Sequence, residues 1–377
     1  MKVLFICGSI GLGLSGVGDY ARRLSEELAR QGHEATLVGL CESDDHDNAL
    51  VAGTIKSCSS VPLPRVLRLP AKSPWKRCSI ELREFFSRVR PDVISLQYVP
   101  YAFQARGLPF RLARRLRGIT PHGSRWQIMF HEICIGLGDS CSWKHRVIGS
   151  FQKRIAAGLV RTLRPIAVHS HALPYLDILR NLGLNAKPLP LFSNVPAITK
   201  HVIPDQLPVL KDKQSYVEFA FFGTVHPDWN VNRVVELVKQ IGKSRELSPR
   251  IIAIGRGGRF AGTMWETFRN AGIDVQETGV IDDVAVSVYL SNCDLGLSGY
   301  PPDLIQKSSA AATMADHGLK ILVPRAPMWG DQYMIGVRLD CPWMVTSTSD
   351  VGTNNVLPNK NHLPAIAEKF LADIAPK

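Results

Sequence analysis

Short apolar runs alternate along the chain with amphipathic stretches, in an order that predicts two successive α/β domains. Lys2–Cys7 is almost unbroken in its apolar character and reads as a strand buried on both faces. Gly8–Gly18 follows as a turn, Asp19–Gln31 as an amphipathic helix and His33–Leu40 as a second strand. Strand, loop, helix and strand in that order predict a parallel βαβ start. The pattern resumes with a helix over Ile80–Val89, strands over Asp92–Gln97 and Gln127–Phe130, a helix over His145–Leu163, a strand over Pro165–His169 and a helix over Pro174–Leu182. Residues 43–79 are rich in Ser, Pro and charge and read as an irregular insertion.

A second series follows the proline-containing connector Pro196–Leu210. Its predicted strands are Glu218–Phe222, Arg250–Ile254, Val275–Thr278, Leu295–Ser298 and Lys320–Val323; its helices are Val231–Gly242, Met264–Ala271, Asp283–Ser291 and Gln306–Asp316. The expected organisation is an α/β protein of two doubly wound domains facing across a cleft, over residues 1–195 and 196–355. The tail 356–377 carries an amphipathic helix, Leu363–Ala375, that returns to pack on the first domain. Open sheets of this kind bind ligands at the carboxyl ends of their strands, so the strand-to-loop junctions are the candidate site positions.

Composition narrows the class. A chain of 377 residues, 45% apolar and 21% charged, is globular and long enough for two cores. The eight cysteines show no CxxC pair and no metal-ligand spacing, so they read as reduced thiols of a cytoplasmic protein. Lys2–Cys7 ends too soon at Gly8 for a signal peptide, and no run reaches the roughly 18 apolar residues of a spanning helix.

The formal charge of +12 is uneven: residues 1–200 hold 28 Lys/Arg against 14 Asp/Glu. One run comprises Arg106, Arg111, Arg114, Arg115 and Arg117; another, at helical spacing, comprises Arg146, Lys153, Arg154, Arg161 and Arg164. A peripheral contact with an anionic membrane at its inner face, an anionic acceptor and a merely solvated basic face all fit these runs. Nucleic acid is not expected, because no helix-turn-helix, zinc or RNA-binding signature accompanies the charge.

Gly11–Gly16 matches GxGxxG between a strand and a helix, and Glu42 ends the second strand where a ribose-binding acid would sit. Alone this fits an NAD(P)-dependent oxidoreductase. The overlapping Ser15-Gly16-Val17-Gly18-Asp19-Tyr20 offers another reading, a glycine turn that brings backbone N–H groups up to a ligand.

Ser15–Tyr20 and Gln31-Gly32-His33-Glu34 together resemble the "GGVGDY…RGHEV" N-terminus of the retaining family-4-type glycosyltransferases of the GT-B fold. Further similarities follow in order: Pro91–Ile94 with Leu96-Gln97-Tyr98, Phe130-His131-Glu132, Phe222-Gly223-Thr224, Ile254-Gly255-Arg256-Gly257, Thr278-Gly279-Val280 and Lys307–Gly318. The resemblance spans about residues 1–325. It implies transfer of a sugar from a nucleotide-diphosphate donor to a glycan, lipid-linked or small-molecule acceptor, with retention and with neither cofactor nor metal.

It also implies site residues. His131 and Glu132 would face the transferred sugar and acceptor, with Gly16, Val17, Gly18 and Asp19 as the sugar- or acceptor-facing loop. Gly223, Thr224, Gly255, Val280, Asp303, Ser308 and Ser309 would hold the donor. The departing nucleoside diphosphate gathers negative charge, which cations and helix N-termini stabilise; Arg256 and Lys307 are the best-placed cations. The chain departs from the family where Thr224 and Trp229 replace an arginine and a lysine, and where Asp303, Leu304 and Ala312 replace a spaced glutamate pair. Either Lys307, Arg256 and Asp303 take over those roles, or the chain binds sugar nucleotides without turnover. His226 and Trp229 are candidates for stacking on a base or sugar.

Overall fold

The computed structural model describes residues 1–11, 15–42, 65–138, 141–198, 215–225, 229–351 and 361–375. The chain divides into two compact units. The first comprises Met1–Pro190 and Leu363–Lys377, the second Leu191–His362. Each is a parallel sheet among the described residues.

In the first unit the strands are β1 (Lys2–Cys7), β2 (Glu34–Glu42), β3 (Arg65–Pro70), β4 (Val93–Tyr98), β5 (Arg125–Phe130), β6 (Ala167–Ser170) and β7 (Lys187–Pro188), arranged β3-β2-β1-β4-β5-β6-β7. The helices are α1 (Gly16–Arg30), α2 (Trp75–Val89), α3 (Pro100–Phe103), α4 (Leu112–Arg117), α5 (Trp143–Leu163) and α6 (Leu173–Asn181). Val3, Leu4, Phe5, Ile6 and Cys7 are fully buried, as a central parallel strand covered on both faces requires. Helix α1 buries Tyr20, Ala21, Leu24 and Leu28, the 3.6-residue stripe read in the sequence.

The stretch expected to be an irregular insertion is partly regular. Arg65–Pro70 pairs with β2 as the edge strand β3, where Pro70 lacks no donor that a neighbour needs. Helix α2 begins at Trp75 rather than Ile80 and buries Cys78 and Leu82, extending the predicted face by one and a half turns.

The second unit has β8 (Tyr216–Thr224), β9 (Ser248–Gly257), β10 (Asp274–Gly279), β11 (Leu295–Leu297), β12 (Ile321–Leu322) and β13 (Met344–Val345), in the order β10-β9-β8-β11-β12-β13. Its helices are α7 (Val231–Ser244), α8 (Ala261–Asn270), α9 (Asp283–Asn292), α10 (Ser309–Asp316) and α11 (Met334–Asp340). Both sheets thus share the 3-2-1-4-5-6 strand order of doubly wound nucleotide-binding folds. Residues 193 and 194 belong to this unit because Ser193 N donates to Asp316 Oδ2 at 3.0 Å and Asn194 N to Thr313 Oγ1 at 3.2 Å.

The last helix, α12 (Leu363–Ile374), packs on the first unit. Phe370 stacks on Phe5 with ring centroids 5.9 Å apart, and Gln31 Nε2 donates to Pro364 O. Burying Ile366, Phe370 and Ile374 stabilises this docking by roughly 1.5–3 kcal/mol per side chain.

Candidate functional site

In each sheet the winding reverses between two neighbouring strands, β1 and β4 in the first and β8 and β11 in the second. The carboxyl ends at these reversals are where doubly wound folds hold ligands.

In the first unit, the loop leaving β1 leads into α1. Ser15 caps the helix by accepting a hydrogen bond from Gly18 N at 3.2 Å. Gly16, Val17, Gly18 and Asp19 therefore form the first helical turn rather than a loop, which corrects the expected start at Asp19. Gly18 is required by packing: a Cβ there would stand 2.8 Å from Ser9 O and 2.9 Å from Ile10 Cα. Residues 12–14 of the GxGxxG segment lie outside the described residues.

Glu42 is not an acid waiting for a ribose. It is buried, accepting from Ser9 Oγ at 2.7 Å and from Ile10 N at 2.7 Å. Its carboxylate closes the β1 loop, which removes the acidic contact that the dinucleotide reading needed.

His131 follows β5 and lies at the same end of the sheet as α1. Its ring meets Tyr20 of α1 edge-on, with centroids 5.0 Å apart, and lies 5.5 Å from His171. The N–H groups of His131 and Glu132 both donate to Tyr98 O, at 3.0 and 3.3 Å, so the β4 end fixes the chain here. His131 Nε2 is 2.8 Å from Gln97 Oε1. The first turn of α1 and His131 are thus brought together, with Tyr20 between them.

In the second unit, β8 ends at Gly223 and Thr224, and Gly223 adopts φ +108°, a left-handed region that favours glycine. A Cβ on Gly223 would lie 3.2 Å from Ala310 Cβ, so the β8 end touches the first turn of α10. On the other side Val225 N donates to Gly257 O at 2.8 Å, joining the ends of β8 and β9. Arg256 is exposed at the β9 end, and Gly255 N donates to Thr278 Oγ1 at 3.4 Å, at the end of β10. Val280 is 70% exposed just beyond. Gly223, Thr224, Gly255, Arg256 and the Thr278–Val280 corner therefore share one edge of the sheet.

The predicted helix Gln306–Asp316 is two elements. Pro302–Lys307 is a 3-10 helix, and α10 begins after Ser308, whose side chain accepts from Ala311 N at 3.1 Å. Ser308 N is itself spent on Ile305 O at 2.9 Å. Ser308 is thus the helix cap, and the first-turn N–H groups that face outward belong to Ser309 and Ala310. Lys307 directly precedes the cap and is half-buried.

Two expected donor contacts are structural. Asp303 is fully buried and accepts from Met328 N at 2.9 Å and Trp329 N at 2.5 Å, tying down the segment after β12 rather than a ribose. Trp229 is 4% exposed and packs in the core, 5.2 Å from Phe221, with Gly299 beneath it. It cannot stack on a ligand from there. His226 lies outside the described residues.

Arg325 was not anticipated. It follows β12 and donates through Nη1 to Gly299 O at 2.8 Å, which places a guanidinium at the carboxyl end of β11, beside the reversal point. A Pro-Arg pair directly after a predicted strand was the available signal.

The seven described cysteines are all free. Among the described residues no group of His, Cys, Asp and Glu could hold a metal ion, and no helix is long and apolar enough to cross a membrane.

Residues 15–163 match the family model of the glycosyl transferase 4-like domain. No curated protein sequence matches the chain. Among solved structures, sucrose-phosphate synthase from Thermosynechococcus elongatus superposes with a TM-score of 0.57 at 11% identity, covering 98% of this chain and 97% of that one. A glycosyltransferase from Rickettsia africae gives 0.55 at 11% identity over 99% and 94%. Anabaena HepE, solved with UDP and glucose, gives 0.52 at 13% identity over 99% and 97%. At such identities the structures establish the fold, two Rossmann-like domains of the GT-B type.

Proposed function

We propose that this chain, a divergent GT-B glycosyltransferase by its first-domain family and its fold, moves a sugar from a nucleoside-diphosphate donor held by the second unit. The observation that carries this reading is the close approach of Gly223 to the first turn of α10, with Lys307 directly before the cap.

A nucleoside diphosphate leaving the sugar must have its growing negative charge stabilised. The N–H groups of Ser309 and Ala310 and the positive end of α10 supply partial charge, and Lys307 supplies a full one. Arg256 and Arg325 add two more cations on strand ends of the same sheet. These groups take up the work of the family cations missing at Thr224 and Trp229. They also supply by themselves the charge that a divalent ion would otherwise bring, which supports metal-independent transfer.

Thr278–Val280 is the segment proposed to hold the base, and His131, Glu132 and the first turn of α1 the transferred sugar and acceptor. Retention of anomeric configuration is proposed from the likeness of the motifs.

The acceptor is proposed to be a glycan or a lipid-linked sugar. A surface of the first unit supports the lipid-linked form: Phe110, Trp143, Val147 and Phe151 are 62, 70, 47 and 40% exposed. Phe110 and Phe151 pack edge-on, and Arg154 and Lys144 lie over Phe151 and Trp143. Exposed aromatics among basic residues suit an anionic bilayer interface.

Calorimetric titration with UDP, GDP and ADP in the presence of EDTA tests the donor assignment. One nucleotide should bind, and Lys307→Ala and Arg256→Ala should each weaken it about tenfold, a loss of about 1.4 kcal/mol. Binding of NAD with none of the three nucleotides would overturn it. Trp143→Ala should reduce sedimentation with phosphatidylglycerol vesicles but not change it with phosphatidylcholine vesicles.

A further inference from the structure

Six side chains of the first unit form one continuous file of hydrogen bonds. His131 Nε2 lies 2.8 Å from Gln97 Oε1, and Gln97 Nε2 lies 2.6 Å from Ser95 Oγ. Ser95 Oγ is 2.5 Å from Gln127 Oε1, Gln127 Nε2 is 2.9 Å from His169 Nδ1, and His169 Nε2 is 3.0 Å from Asp373 Oδ2 on α12. Asp373 Oδ1 also pairs with Lys187. Ser95, Gln127 and His169 are 0% exposed, Gln97 1% and His131 5%. Strand alternation puts these residues on the sheet face that also carries Phe5, which Phe370 of α12 covers.

The carboxylate dictates the direction of every proton in the file. Asp373 can only accept, so His169 Nε2 must carry hydrogen. Burial holds His169 below the usual histidine value, against the opposing pull of Asp373, so it is neutral and its Nδ1 accepts. Gln127 must then turn its amide N–H₂ to that nitrogen and its carbonyl to Ser95. Ser95 therefore donates to Gln127 and accepts from Gln97, whose carbonyl faces His131. His131 Nε2 is left as an obligate donor.

We propose that Asp373 is a positioning residue that acts through this file to hold His131 in the Nε2–H form, so that any proton or hydrogen bond the ring accepts comes to Nδ1. The terminal helix thereby sets the tautomer of a side chain at the opposite end of a buried polar row. The consequence for sugar transfer rests on the proposed function; the coupling of Asp373 to His131 does not.

Nitrogen-15 NMR of the histidine rings in the full chain reads the tautomer directly. Wild type should show His131 solely as the Nε2–H form. In Asp373→Asn the amide oxygen stays with the Lys187 ammonium and the N–H₂ turns to His169 Nε2, which reverses the file, so His131 should shift toward the Nδ1–H form; Asp373→Glu should restore the Nε2–H form. Ser95→Ala, which cuts the file at its middle by one buried hydroxyl, should leave the Gln97 amide without a fixed direction and His131 as a mixture of both tautomers. A His131 that stays wholly Nε2–H in both Asp373→Asn and Ser95→Ala, or that is Nδ1–H in wild type, overturns the proposal. Transfer rate should fall about tenfold in Asp373→Asn with donor affinity unchanged, short of the roughly 10²–10⁴ of losing a direct acid–base group. If the tautomers respond as stated while wild type transfers no sugar, the coupling stands and the proposed function fails.

Discussion

Replacing Asp303 by Asn separates a structural carboxylate from a ligand contact. The Asp303 side chain is fully buried and accepts two backbone N–H bonds, from Met328 and Trp329 at 2.9 and 2.5 Å. Asparagine keeps one accepting oxygen but turns its N–H₂ group toward the other donor. One charge-assisted bond is lost, worth about 1.5–3 kcal/mol, and one backbone N–H is left facing a second donor. The expected loss is about 2–4 kcal/mol. For a unit of this size each kcal/mol moves the midpoint by roughly 2–4 °C, so Tm should fall by roughly 5–15 °C. Thermal unfolding followed by circular dichroism measures this, alongside nucleotide titration well below the midpoint. A large fall in Tm with an unchanged Kd is the expected result. An unchanged Tm with a Kd raised tenfold or more would refute the structural role and show Asp303 to be a ribose contact.

Other consequences follow from the same geometry. Glu42→Gln keeps one oxygen to accept from Ile10 N but turns its N–H₂ group to Ser9 Oγ, so a charge-assisted 2.7 Å bond is lost; it should cost about 1–2 kcal/mol in denaturant unfolding, while NAD fails to raise the Tm of wild type. Gly18→Ala places a methyl within 2.8 Å of Ser9 O and 2.9 Å of Ile10 Cα, both backbone, and should destabilise by roughly 1–3 kcal/mol in the same assay. Burial lowers the folded values of His169 and His317. Their unfolded forms take up protons first as pH falls below about 6.5, so stability present above that value should decline toward pH 5, before the carboxylates titrate. His317→Asn should make the decline between pH 7 and 5 shallower; an identical slope would argue against this assignment.

Much of the fold was legible because parallel strands buried on both faces leave unbroken apolar runs, as in Lys2–Cys7, and because the glycines sit where strands end. Arg65–Pro70 was hidden because an edge strand is half solvated and looks like polar loop. The candidate site was legible where a residue's position along a strand defines it, as with His131, Gly223 and Gly255. It was misread where a polar side chain turns inward: Asp303 and Glu42 read as ligands because sequence does not reveal that a backbone N–H waits for each. The polar file was signalled by Ser95, Gln97 and Gln127 in strands that should be wholly apolar, yet its end at Asp373 depends on a helix distant in sequence.

The most direct test of the central claim is the fate of a radiolabelled sugar. The chain is incubated in EDTA with labelled nucleotide sugars, including UDP-glucose and GDP-mannose, and a panel of oligosaccharide and lipid-linked acceptors. One donor's label should appear on an acceptor in equal amount to the nucleoside diphosphate released, with Lys307→Ala slowing the reaction about 10²–10³-fold. A chain that binds the donor yet leaves every label on its nucleotide would contradict that claim.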